Sequence, residues 1–202
     1  AGRVATSEVM ARVEKALEPL LGAGKHVARM TYPDLYFMPG VYAKLQADVT
    51  AMAAVRGAIS GVPGVWRMYR SEELQNARGS SDAMMRAAAL SYYAGRSGDI
   101  VVVPKPYWFF VSVARTVPAG SATTHGSSHS YDQHVPLILM GQGIKSGEFL
   151  NAASPADIAP TLAFLCGITL GRADGRVLAE ALQVPRAVQE DSAKPSGSAK
   201  KQ

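Results

Sequence analysis

The sequence predicts an α/β sandwich with a mostly parallel sheet, on three observations. Apolar residues at three- and four-residue steps alternate with short apolar runs along most of the chain. The run Asp99–Val103 is almost continuously β-branched, which suits a strand buried on both faces. Of 202 residues, 48% are apolar and 18% charged, enough to build the core of one domain, with room for a small second lobe. No apolar run approaches the roughly 18–20 residues needed to cross a bilayer, so no membrane partner is expected.

The elements follow in order. Val9, Met10, Val13, Ala16, Leu17, Leu20 and Leu21 make one face of a helix, with Ser7 as N-cap; Pro19 should kink or end it and Gly22–Gly24 close it. Residues His26–Tyr32 read as a short strand broken by Pro33-Asp34. Leu45, Val49, Met52 and Ile59 mark a second helix, stopped at Gly61–Gly64. Val65–Arg70 is a strand, and Ser81-Asp82 caps a third helix carrying Met84, Met85, Ala88 and Leu90. After the strand at Asp99–Val103, a Gly/Ser/Thr/His-rich loop spans Pro118–Ser130, and Val135–Met140 reads as a second buried strand. A helix beginning at Ser154-Pro155 would place Pro160 well inside it, at a cost of about 3 kcal/mol. Asp157 as N-cap instead puts Pro160 in the first turn, where the missing donor costs nothing, and Cys166-Gly167 closes the helix. Asp174 opens a last short helix, Gly175–Leu182. Residues 1–185 are expected to be folded and 186–202, rich in Ser, Ala, Lys, Gly and Pro, to be a disordered tail.

The formal charge of +5 includes four basic residues in the tail (Arg186, Lys194, Lys200, Lys201) against Glu190 and Asp191. The remainder is dispersed without a block of like charge, which argues for solubility and against a nucleic-acid partner. Cys166 is the only cysteine, so an internal disulfide and a thiolate metal cluster are both excluded; in its apolar stretch it reads as a small buried hydrophobe. The first thirty residues are amphipathic and lack the pattern of a signal peptide, and the chain starts Ala1-Gly2-Arg3 without Met. A processed chain, or one cut from something longer, is expected.

Three of the four histidines, His125, His129 and His134, fall within ten residues. Imidazoles on a loop between two buried strands are suited to a metal, and equally to a polar turn in which they bond backbone carbonyls and water. The His125/His129 spacing matches chelation from a helix, but Gly126, Ser127 and Ser128 argue against a helix there. His134 directly precedes an apolar run and is better placed to orient a neighbour or the backbone than to bind metal. Arg96 reads as pinning a turn through Asp99, and Lys105, between two prolines, as a surface cation.

The segment Thr124-His125-Gly126-Ser127, followed by Tyr131-Asp132-Gln133-His134-Val135-Pro136-Leu137, resembles the last metal-ligand segment of the alkaline phosphatase superfamily. The nearest branch is that of single-chain bacterial alkaline phosphatases related to type I phosphodiesterases and nucleotide pyrophosphatases. Pro63–Val65, Leu90–Asp99, Pro104–Tyr107, Gly141–Lys145 and Asp157–Leu162 agree in order and spacing, so the likeness runs from about Lys25 to Leu182. It implies a three-layer α/β/α sandwich and two Zn2+ ions. It also implies a Thr or Ser nucleophile that attacks phosphorus between them, a zinc-bound hydroxide that hydrolyses the phosphoryl-enzyme, and a phosphate ester as substrate.

Carried over by residue, the resemblance makes His125 the final zinc ligand. Asp132 and His134 match the pattern and are assigned to holding the loop. His129 stands where the family has a different, often aromatic residue; it receives no role, and its replacement is expected to be nearly neutral. No residue is assigned to the nucleophile. The family's remaining ligands come as Asp-x-x-x-His, as Asp-His and as an early Asp, and neither His-containing pattern occurs here. The chain is therefore expected to be the C-terminal part of a longer, exported zinc phosphatase or phosphodiesterase, inactive without an N-terminal half that supplies the nucleophile. The alternative is a stand-alone, non-catalytic α/β module that binds a partner through its surface; the reading frame upstream of Ala1 discriminates the two.

Overall fold

The computed structural model describes residues 2–112 and 124–183. The chain divides into two compact units, Ala1–His134 and Val135–Gln202. The first holds β1 (Gly2–Ala5), α1 (Thr6–Leu21), β2 (Val27–Thr31), β3 (Asp34–Phe37), α2 (Val41–Ala47) and α3 (Val49–Ser60). It continues with β4 (Val65–Arg70), α4 (Ser71–Gln75), α5 (Ala83–Ser91), β5 (Ile100–Pro104) and β6 (Trp108–Val111). In the second unit, α6 (Ile158–Leu165) lies between 3-10 turns at Pro155–Asp157 and Ala179–Ala181.

The class is α/β, and β1 and β6 pair in parallel, Gly2 opposite Trp108 through Ala5 opposite Val111. The other four strands form an antiparallel sheet in the order β2-β3-β5-β4. The Asp99–Val103 run is thus a buried strand as expected, but both of its neighbours are antiparallel. Its continuous apolar character has a different cause. Side chains alternate across a strand. Ile100 and Val102 enter a core with Val9, Val13 and Leu17 of α1 and Val55 and Ile59 of α3. Val101 and Val103 enter a second core with Leu74 of α4 and Ala88 and Ala89 of α5. Helices on both faces, rather than parallel pairing, keep every position of β5 dry.

Several elements differ from their sequence assignments. The first helix starts at Thr6, one residue before the expected cap Ser7, because β1 leads directly into it. Pro19 is accommodated in its last turn, which ends at Gly22 with φ +88° and its N–H bonded to Glu18 O at 3.0 Å. The second helix is two, divided at Asp48, whose carboxylate accepts from Thr50 and Ala51 N–H at 2.8 and 3.0 Å and caps α3. Pro33-Asp34 is no break but a hairpin turn: β3 returns antiparallel to β2. Asp82 caps α5 as expected, accepting from Met84 and Met85 N–H.

In the second unit Ser154 and Asp157 share the work that the sequence offered as alternatives. Ser154 caps the 3-10 turn, α6 follows Asp157, and Pro160 sits in the first helical turn. Val135–Met140 is not a strand. None of its residues pairs with another strand among the described residues, and Ile138 and Met140 are 84% and 96% exposed. Only Ala179–Ala181 of the expected last helix is helical. Cys166 is exposed, because it closes α6 rather than lying within it. The tail 186–202 lies outside the described residues. Among those residues no helix is long and apolar enough to cross a membrane.

Close packing is most severe around Trp108. A Cβ at Gly2 would stand 2.6 Å from its indole, and one at Gly64 2.0 Å. The ring is seated between two positions that have no room for a side chain.

Candidate functional site

The histidine loop is built from the end of β2, the turn after β5 and its own polar groups. Ser127 donates from its backbone N–H to the Asp132 carboxylate at 2.8 Å, and its hydroxyl donates to the same oxygen. A 3-10 turn at Ser130–Asp132 brings that carboxylate back over the loop. Asp132 therefore holds the loop. The Tyr32 hydroxyl donates to the carbonyl of His125 at 3.0 Å, so the next residue after β2 fixes the backbone of His125. Burial, with help from Asp132 and Tyr131, pushes the Tyr32 phenol above its ordinary range, keeping it a donor at neutral pH. Tyr32 also lines a cavity of about 180 Å³ with Thr6, Met30, Phe110, Val111, Ser112 and Thr124.

The histidines have different surroundings. His129 is buried; its Nε2 donates to the carbonyl of Pro104, at the end of β5, at 2.9 Å. That bond puts a proton on Nε2. Its ring stacks with Trp66 at 5.5 Å and with Tyr131 at 5.3 Å, at interplanar angles of 12° and 11°. His129 thus anchors the loop to the sheet, a role that the sequence did not assign to it. His125 and His134 are exposed, and among the described residues neither ring is hydrogen bonded. His26 is buried with its Nε2 on Gly22 O at 2.9 Å, while Glu14 accepts from the His26 and Val27 N–H groups.

Arg96 does not pin its turn through Asp99. Its guanidinium lies over Tyr93 at 4.4 Å, its carbonyl accepts from the Tyr36 hydroxyl, and Asp99 accepts from Phe37 N–H. Lys105 is exposed, as expected, with its backbone N–H on Gly64 O at 2.7 Å. Sequence reasoning passed over Tyr32, Trp66, Tyr107 and Tyr131. The visible signals were Tyr131 beside Asp132 and Tyr107-Trp108 directly after Pro-Lys-Pro.

The "Calcium-transporting ATPase" of Myroides odoratus is 42% identical over 72 residues, 36% of this chain and 12% of that protein. The alkaline phosphatase PhoK of Sphingomonas sp is 28% identical over 152 residues, 72% of this chain and 26% of PhoK. The crystal structure of wild-type alkaline phosphatase PafA aligns over 91% of this chain with a TM-score of 0.68 and 25% identity. The chain is thus similar, in sequence and in fold, to members of the alkaline phosphatase superfamily. No protein-family model matches it. The superfamily likeness is partial in one direction: the chain spans 12% and 26% of those two relatives and 34% of the PafA chain.

The zinc centre that the superfamily implies is not formed by the described residues. No three His, Cys, Asp or Glu side chains converge among them. The Asp132 carboxylate is engaged by Ser127, and the nitrogen of His129 that faces Pro104 carries a proton. The loop presents to solvent the imidazoles of His125 and His134, the first on a backbone held by Tyr32.

Proposed function

We propose that this chain is the C-terminal segment of a zinc-dependent phosphoric-ester hydrolase of alkaline phosphatase or phosphodiesterase type, with residues 1–185 forming part of its catalytic domain. In this reading His125 is its one contribution to a two-zinc site. The other ligands and the nucleophile come from an N-terminal half of the same protein, and the enzyme is exported to the periplasm or beyond.

One observation carries the assignment to His125. The Asp132 carboxylate is spent on Ser127 and the His129 Nε2 on β5, whereas the His125 ring is exposed; the His134 ring is exposed too, but it is the backbone of His125 that Tyr32 holds in place. An imidazole positioned in this way can join a metal site without rearrangement of its backbone.

Residues 1–202 alone should hydrolyse p-nitrophenyl phosphate at background rate, with or without added zinc. Metal-dependent turnover by that chain would overturn the segment reading. In the longer polypeptide, His125→Ala should lower bound zinc and reduce kcat/KM by orders of magnitude. His134→Ala should cost no more than about 10–100-fold. Retention of both zinc ions by His125→Ala would overturn the ligand assignment.

A further inference from the structure

The turn between β5 and β6 holds a residue its geometry does not favour. Lys105 O accepts from Trp108 N–H at 3.0 Å, Pro106 follows Lys105, and Tyr107 has φ +63°. Proline followed by a positive φ is the pattern of a type II turn, whose third position calls for glycine or asparagine. Tyr107 occupies it, and is the only non-glycine residue with positive φ among those described. Burial does not explain the choice, since Tyr107 is 69% exposed. A disfavoured backbone conformation retained at an exposed aromatic residue points to use of the ring.

The ring has a defined setting. Tyr107 stacks on Tyr131 at 5.1 Å and 10°, and its backbone N–H donates to the Tyr131 hydroxyl at 2.9 Å. Tyr131 stacks on His129, and His129 on Trp66, so four nearly parallel rings run from β4 through the histidine loop to this turn. At the Trp66 end the guanidinium of Arg67 already lies over the indole, 4.7 Å from its centroid. At the other end Tyr107 is 69% exposed, and among the described residues no further ring or cation stacks on it. The two middle rings belong to the loop that carries His125, four and six residues away.

We infer that Tyr107 is a stacking surface for a planar aromatic group of the phosphoric ester, either an aryl group or a nucleobase. This rests on the proposed hydrolase reading and adds a substrate class to it. The rigid stack beneath Tyr107 holds the ring in place before the ligand arrives, and every aromatic ligand offers a face to it.

Two measurements separate this inference from the reading it rests on. The first omits phosphate chemistry: residues 1–202 are titrated with adenosine, p-nitrophenol and ribose while the ring resonances of Tyr107 and Tyr131 are followed by NMR. Adenosine, p-nitrophenol or both should produce saturable shifts that ribose does not, and the one that does identifies the group as base, aryl or either. Tyr107→Gly, which suits the turn, should abolish the shifts, and Tyr107→Phe should retain them. The absence of saturable shifts with both aromatic probes, or shifts unchanged in Tyr107→Gly, overturns the inference.

The second uses the hydrolytically competent polypeptide. Tyr107→Gly should lower kcat/KM for p-nitrophenyl phosphate or AMP about 10-fold relative to that for glycerol 2-phosphate, and Tyr107→Phe should leave the ratio in place. An unchanged ratio in Tyr107→Gly overturns the inference even if the enzyme hydrolyses all three esters. Stacking without any hydrolysis would sink the hydrolase reading and leave the aromatic site standing.

Discussion

In β5, Ile100 and Val102 have no exposed surface, whereas in the segment Val135–Met140 Ile138 and Met140 are almost wholly exposed. The two stretches are similarly apolar and similarly short. What differs is their surroundings. β5 has β3 and β4 on its edges, α1 and α3 against one face, and α4 and α5 against the other. Val135–Met140 has no strand on either edge among the described residues. An apolar run is therefore a statement about what a segment can tolerate, and its burial is contributed by other parts of the chain.

The most severe way to test this contrast is Val102→Asp. An unpaired carboxylate in the core beside α1 and α3 should cost more than about 4 kcal/mol and abolish the cooperative urea transition of the first unit. Survival of that transition would show that β5 is wetter than its packing implies. Next in size, Ile100→Ala should cost about 2–5 kcal/mol. Ile138→Ala should stay within about 0.5 kcal/mol. Comparable losses at the two positions in urea melts would mean that the 135–140 segment is buried in solution.

A similar pairing exists inside the histidine loop. His129→Ala removes a buried hydrogen bond to Pro104 and two stacked rings, and should destabilise the first unit by about 2–3 kcal/mol. The His125 ring is exposed and, among the described residues, not hydrogen bonded, so His125→Ala should leave the thermal midpoint unchanged. The reverse order would invalidate the division between anchor and presented ring.

The smallest contrast is in pH. Glu180 in the second unit is held down to about 2, chiefly by the Arg176 guanidinium at 2.7 Å. Its contribution is fully present above the ordinary glutamate range near 4.5 and is lost as pH falls toward 2. Asp34 in β3 moves the other way: burial raises it, against an opposing hydrogen bond from Gly98 N–H. Relative stability from that shift is present below its ordinary value near 3.8 and is lost as pH rises through the raised value. Carboxyl titrations by NMR should place Glu180 below and Asp34 above their usual ranges; coincident midpoints would contradict both.

Legibility from sequence follows the range of the interactions involved. β5 was readable because Ile100–Val103 states its burial locally, and the cap Asp82 because capping is decided within a few residues; Asp157 does precede α6, but its carboxylate accepts from Ser154 and Arg176 N–H instead of capping that helix. β1 and β6 were not, since Gly2–Ala5 becomes a strand only by pairing with residues more than a hundred positions away. β3 was hidden because Pro33-Asp34 reads as an ending when it is a reversal. In the loop, the holding role of Asp132 was legible through the motif it belongs to, although not its partner Ser127, five residues distant. The stack of Trp66, His129, Tyr131 and Tyr107 was not, because its rings come from three places in the sequence. His125 was singled out through the motif it begins, not through spacing.

The seat of Trp108 between Gly2 and Gly64 carries a consequence for how this chain can vary. Alanine at either position would place a methyl group inside the indole, and both neighbours of the ring are backbone that belongs to strand pairing or to a turn. The three residues are thus interdependent: relief of either clash requires a smaller side chain at position 108, and that change leaves the β1–β6 pair without its largest ring. In a deep mutational library selected for folding, positions 2 and 64 should return glycine almost alone. Position 64, at φ +89°, should keep glycine whatever stands at 108, whereas another residue at position 2 should be recovered only together with a substitution at 108, a signature of covariation across more than a hundred residues.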